Sequence, residues 1–156
     1  MPNTIYPMTE KDLAEVVALE AEVFTWPWSE RSFIEEMARA FSHMLVARDK
    51  AGELLGFIIF WVLYDEMHIL NLAVNPAARR QGVGLALAAE SLRFARRRGC
   101  RTADLEVRES NGAAIKLYEK LGFAAVGRRR GYYESPVEDA VLMRLEGFGR
   151  ISKKTP

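Results

Sequence analysis

The chain of 156 residues is poor in the residue types that build covalent and metal-bound frameworks. One cysteine, Cys100, excludes an intramolecular disulfide and any zinc site with several thiolates. Two histidines, His43 and His68, are too few for a histidine-rich metal centre, so no metal is expected. Long hydrophobic runs are missing too. The longest nearly apolar stretch, Leu54 to Tyr64, covers 11 positions, against the roughly 20 that a membrane-spanning helix needs. Met1-Pro2-Asn3-Thr4 lacks a basic segment leading into an apolar one, so no secretory leader is expected. Nor is there an excess of charge, since 22 basic side chains balance 21 acidic ones for a net +1. These absences point to a cytoplasmic protein without membrane partners, and the length suits one domain burying roughly 70% of its unfolded surface.

The balanced average conceals a segregated charge. Residues 1–36 hold two basic and eight acidic side chains, a local −6, whereas residues 76–130 hold 13 basic and five acidic, a local +8. Solvated helix faces produce such runs. An anionic ligand held by the middle of the chain, with a cationic partner near its start, would need them. Local motifs have to decide between the two.

Thr9-Glu10-Lys11-Asp12 reads as a helix start, with Thr9 as N-cap and acids in the first turn. Leu13, Val16, Val17, Ala21 and Phe24 follow at helical spacing until Trp26-Pro27-Trp28 interrupts them. Ser29 caps a second helix with Phe33, Ile34, Met37 and Phe41 on one side. Strands are expected over His43–Arg48, Glu53–Tyr64 and Met67–Val74, the last stopped by Asn75-Pro76. A helix then runs to about Arg98 and ends at Gly99, followed by a strand from Thr102 to Val107. Ser110-Asn111 caps a helix to Leu121, and two strands close the fold, Phe123 to about Arg128 and Glu138 to Leu145. The order is ααβββαβαββ, a mixed α/β domain with a βαβ crossover.

The loop between the third strand and third helix carries the first chemistry. Arg79-Arg80-Gln81-Gly82-Val83-Gly84 joins a strand to a helix start, where backbone N–H groups lack partners and the dipole favours an anion. Gly82 and Gly84 let a phosphate approach the backbone, and Arg79 and Arg80 add charge. No Gly-Lys-Ser/Thr follows, which excludes a P-loop, and a dinucleotide fingerprint would need a third glycine.

Here the chain resembles a known family. Arg79-x-x-Gly82-x-Gly84 after a strand is similar to the acetyl-CoA pyrophosphate loop of the GNAT N-acetyltransferases. Four more segments resemble the RimI-type acetyltransferases of ribosomal-protein N-terminal alanines: Trp26-Pro27-Trp28-Ser29-Glu30, Asp65-Glu66, the block from Leu105-Glu106-Val107-Arg108 to Leu121-Gly122-Phe123, and Arg129-Arg130-Gly131-Tyr132-Tyr133. The resemblance spans roughly residues 5–146 and departs mildly at Gly112, Gly131 and the tail. It implies a GNAT fold over residues 1–146 as a single domain, with 147–156 a flexible basic tail. It also implies acetyl-CoA as cosubstrate, held by backbone groups of Leu72, Ala73 and Val74, by Arg79, Arg80, Gln81, Gly82, Val83, Gly84 and Leu85, and by Asn111.

Acetyl transfer to an amine needs a base for the amine and an acid for the departing thiolate. An α-amine, with a pKa near 8, is roughly one-tenth neutral at pH 7, far more than a lysine near 10.4. The resemblance assigns Glu106, late in its strand, as proton acceptor and Tyr118, on the following helix, as donor. Without it Glu106 reads as a strand carboxylate and Tyr118 as a packed aromatic. Trp28, Asp65, Glu66, Tyr132 and Tyr133 are the candidate acceptor-substrate contacts. The implied partner is a protein N-terminus, the N-terminal alanine of ribosomal small-subunit protein eighteen first, with no nucleic acid required and a monomer or weak dimer expected. Acetylation of other N-termini, lysines or small amines is the neighbouring alternative. A regulatory module that binds acetyl-CoA without turnover and a nucleic-acid binder using the +8 segment are alternatives of other classes.

Overall fold

The computed structural model describes residues 3–134 and 136–148. A strand β1 (Thr4–Pro7) and a 3-10 turn (Glu10–Asp12) precede α1 (Leu13–Val23) and α2 (Glu30–Met37). Then come β2 (Ser42–Arg48), β3 (Leu54–Leu63), β4 (Glu66–Val74) and α3 (Val83–Arg97). β5 (Thr102–Arg108), α4 (Gly112–Lys120), β6 (Ala124–Glu134) and β7 (Val137–Glu146) complete the order. The expected ααβββαβαββ is found, with one strand added ahead of it. β1 escapes sequence reading because it is four residues long and ends in a proline. It exists through its antiparallel partner β2, with Thr4 opposite Arg48 and Pro7 opposite Leu45. As the first strand of the sheet it tolerates a residue without an N–H.

The seven strands form one mixed sheet in the order β1-β2-β3-β4-β5-β7-β6. β4 and β5 run parallel, Glu66 opposite Thr102 and Ile69 opposite Leu105, so α3 is the crossover between them. Residues 149–156, most of the expected tail, lie outside the described residues. Among the described residues no helix is long and apolar enough to cross a membrane.

Two compact units divide the chain, one comprising the residues up to Trp61 with Asn71–Ser91, the other Val62–Leu70 with the residues from Leu92 onwards. In the first, β3 is buried from Leu54 through Phe60, which is why it reads as a continuous apolar run. Phe33 meets Phe57 edge-on at 5.9 Å, and each such buried aromatic contributes about 1.5–3 kcal/mol. Gly56 marks a close approach: a Cβ there would lie 2.6 Å from the Ala73 carbonyl oxygen and 3.2 Å from Leu87 Cδ1. Arg48 ties this unit's first elements together, with Nη2 2.8 Å from Asp12 and 2.7 Å from Glu15, and Nε donating to Tyr6 at 2.7 Å.

The second unit is built on the alternation of β5. Ala103, Leu105 and Val107 are buried, while Thr102, Asp104, Glu106 and Arg108 are half-buried on the other face. Leu105 stands opposite Met143 of β7, itself fully buried. β6 runs past its expected end to Glu134, with register shifts against β7 between Ala125 and Gly127 and between Arg129 and Tyr133. Gly131 sits in the second shift at φ +60°, a conformation that favours glycine.

Candidate active site

In the first unit the segment Leu72–Leu85 leaves β4 through a constrained turn. Asn75 directs it: its N–H donates to the Leu55 carbonyl at 2.8 Å, and its Oδ1 accepts from the Ala77 N–H at 3.0 Å. Pro76 opens a 3-10 turn that ends at Arg79, which is extended. Arg80 and Gly82 then both adopt positive φ, at +66° and +79°. A Cβ on Gly82 would meet nothing within 4 Å, so its conformation rather than crowding calls for glycine here. Turns that contain such positive-φ residues can offer backbone N–H groups to an anion. α3 starts at once: Ala86 makes the first helical bond, to Gly82 O at 2.9 Å, so the N–H groups of Val83, Gly84 and Leu85 precede the helical ladder. Arg79, Arg80, Gln81 and Gly82 are exposed, while Val83 is buried and fixes the helix start. Ala73 is buried between half-buried Leu72 and Val74. These residues fit a polyphosphate with an extended arm.

Trp28 belongs to the same unit. Half-buried, it packs against Phe33 at 5.3 Å between ring centroids, and its backbone N–H donates to Glu20 Oε2 at 3.0 Å.

In the second unit Glu106 is the central group. Its side chain is 21% exposed, and Oε1 lies 3.1 Å from His68 Nε2. The hydrogen bond with His68 is the largest influence on its carboxyl; burial opposes it, and the charges of His68 and Arg129 reinforce it. The net result is a carboxyl held below the ordinary glutamate value of 4.5. Tyr118 is 5% exposed and packs edge-on against Phe123 at 5.5 Å. Burial, then the nearby Tyr133, pushes its phenol well above the usual value of 10. Tyr133 is pushed up to about 12, by burial first and then by Tyr132 and Glu106. The Arg108 guanidinium lies 4.3 Å from the Tyr133 ring, and Arg129 lies 5.5 Å from that of Tyr132, which is exposed. Asn111 caps α4, Oδ1 accepting from Ala114 N–H at 3.1 Å.

The fold thus gathers Glu106, Tyr118 and Tyr133 into one electrostatic neighbourhood. Asp65 and Glu66 stand apart from it. Both are exposed, and Glu66 is registered against Thr102, four residues before Glu106 on β5. At the rise of a strand that separates them by about 13 Å.

Two residues of consequence were not visible as such in the sequence. His68 lies between buried Met67 and Ile69 on β4, on the face that parallel pairing aligns with Glu106, a placement that a count of histidines does not show. Glu20 lies four residues after Val16 and four before Phe24, within the apolar stripe of α1, and a charge there was the missed signal. Among the described residues no group of three or more His, Cys, Asp or Glu side chains is arranged to hold a metal ion.

Known proteins share this architecture. The acetyltransferase (GNAT) family pattern matches residues 13–123. The chain is 37% identical over 145 residues to the ribosomal protein bS18-alanine N-acetyltransferase of Escherichia coli K12, covering 92% of this chain and 97% of that protein. It is 36% identical over 151 residues to the N-alpha-acetyltransferase RimI of Mycobacterium tuberculosis, covering 93% of each. The crystal structure of the ribosomal-protein-S18-alanine N-acetyltransferase from Escherichia coli superposes with a TM-score of 0.86 at 36% identity, covering 93% of this chain and 94% of that one.

Proposed function

From the premise that this chain belongs to the GNAT acetyltransferase family, we propose that residues 1–146 act as one domain that acetylates a protein α-amine with acetyl-CoA. The first substrate is the N-terminal alanine of ribosomal small-subunit protein eighteen, which the 37% identical relative is named for. Acetyl-CoA supplies the activated acyl thioester. The positive-φ turn at Arg80 and Gly82, the helix start at Val83–Leu85 and the side chains of Arg79, Arg80 and Gln81 supply donors and charge for its phosphates. Backbone groups of Leu72, Ala73 and Val74 would pair with its arm as an added strand does, and Asn111 Nδ2 would donate to it.

Glu106 accepts the amine proton, directly or through one water. Its state is compatible with an α-amine substrate. Acidified by His68, it stays ionised across neutral pH but is a weaker base than an ordinary glutamate. A weak base suffices for an α-amine, roughly one-tenth of which is already neutral at pH 7, whereas the neutral fraction of a lysine near 10.4 is smaller by a factor of about 250. Tyr118 has the opposite property. Burial keeps its proton in place, so it arrives at the departing sulfur as a donor whose hydrogen bond strengthens as negative charge develops there. Tyr132, Tyr133, Trp28 and the carboxylates of Asp65 and Glu66 are the proposed contacts of a cationic peptide.

Mass spectrometry of a peptide panel varying the first residue, incubated with the protein and acetyl-CoA, tests this reading. Acetyl groups on α-amines, with alanine-starting peptides modified fastest, are expected. Modification confined to lysine side chains or free polyamines overturns it.

A further inference from the structure

Among the described residues Glu20 is the most deeply buried carboxylate, 2% exposed against 4% for Asp12 and Glu36. The other two meet arginines, Asp12 at 2.8 Å from Arg48 and Glu36 at 2.9 Å from Arg39. Glu20 instead accepts from two neutral donors, Trp28 N–H at 3.0 Å on Oε2 and Asn71 Nδ2 at 2.7 Å on Oε1. Its own backbone carbonyl accepts from the Phe24 N–H at 3.0 Å. One residue thus clamps both ends of the segment Phe24–Trp28, and Asn71 anchors the clamp to β4. A carboxylate buried against neutral partners destabilises a fold relative to an apolar side chain. What it holds therefore needs a reason. The clamped segment carries Trp26, 68% exposed, beside Pro27. Glu22 and Glu30, both exposed, flank it in sequence and make it complementary to a basic chain.

We propose that Glu20 is a positioning residue for the acceptor: it fixes Phe24–Trp28 so that Trp26 and Pro27 present a rigid wall to the peptide bringing the amine. The proposal rests on the acceptor being a peptide. Because β4 is held by its own sheet hydrogen bonds, loosening the clamp moves the wall and leaves the acetyl-CoA strand in place.

Steady-state kinetics with an alanine-starting basic peptide test it, each cosubstrate varied in turn. Glu20→Gln turns an amide toward one of the two donors, and is expected to raise the peptide KM about tenfold. The acetyl-CoA KM and kcat stay within about twofold. Asn71→Asp sets two carboxylates face to face and raises the peptide KM similarly. Combined, the new amide donates to the new carboxylate while its carbonyl still accepts from Trp28, and the peptide KM returns to within about threefold of wild type. An unchanged peptide KM in Glu20→Gln, an equal rise in both KM values, or no recovery in the double variant overturns the proposal. Trp26→Ala, at an exposed site, tests the wall even where Glu20→Gln does not fold; an unchanged peptide KM there also overturns it. A wild-type protein that acetylates polyamines but no peptide overturns the peptide reading and this proposal together. An active wild type with indifferent variants overturns the proposal alone.

Discussion

Glu20 is buried and Glu106 half-buried, and the two carboxyls shift in opposite directions. Burial dominates at Glu20 and raises its pKa, although two hydrogen-bond donors work against it. At Glu106 the hydrogen bond with His68 outweighs burial and lowers it. The difference lies in the donors. An amide N–H offers a dipole, whereas an imidazole can carry a full charge, and only the latter offsets the loss of water around a carboxylate. Glu20 thereby suits a fixed structural acceptor, and Glu106, kept ionised and 21% exposed, suits a group that must meet an amine.

The largest expected effect breaks this contrast at the chemical step. Glu106→Gln removes the acceptor, and kcat on the peptide is expected to fall about 10²–10⁴-fold with little change in the peptide KM. Tyr118→Phe removes only the phenolic proton, and a drop of about 10² in kcat is expected, at an unchanged acetyl-CoA KM. Initial rates at saturating acetyl-CoA measure both. A Glu106→Gln variant retaining kcat within threefold would remove the base assignment, whereas Glu20→Gln is expected to act on KM alone.

The two carboxylates also mark how far the sequence could be read. Most elements were legible because their signals are local: Thr9 and Ser29 accept backbone N–H groups as caps, Gly99 and Gly122 end helices at positive φ, and Asn111 caps α4. The Arg79–Gly84 loop was legible for the same reason. β1 was not, since its pairing with β2 spans some forty residues and leaves no periodic trace. Glu106 and Tyr118 were named through a motif, and their electrostatic state was not readable from it. That state depends on His68, 38 residues away and brought alongside by the β4–β5 register. Glu20 was hidden by the assumption that an acidic residue in an acidic helix faces water.

His68 offers a way to make one site resemble the other. His68→Gln keeps a hydrogen-bonding side chain there but one that cannot carry a positive charge, so the Glu106 carboxyl is expected to rise toward 4.5. Arg129 still lowers it, and Tyr133 is the other titratable neighbour. In kcat/KM against pH the α-amine limb near 8 stays in place. The second, acidic limb set by Glu106 moves upward, so the variant loses activity earlier on acidification. At pH 8, where Glu106 is ionised in both proteins, the rates are expected to agree within about tenfold. An unmoved acidic limb would separate His68 from Glu106.

The smallest effect is read in stability. The folded Glu20 carboxyl keeps its proton above 4.5, where the unfolded chain has already lost it. Over that window the native state binds more protons, so its stability falls as pH rises. Glu106 behaves the other way: its folded carboxyl loses the proton below 4.5, so its stabilisation is complete above that value and is lost as pH falls through the folded pKa. Melting temperatures measured from about pH 3.5 to 6 should therefore diverge in sign. The gap between wild type and Glu20→Gln narrows as pH rises, by about 2–4 °C for each kcal/mol of linkage in a chain of this length. The gap between wild type and Glu106→Gln widens over the same range. Parallel slopes would mean that burial, and not the choice of donor, governs both carboxylates.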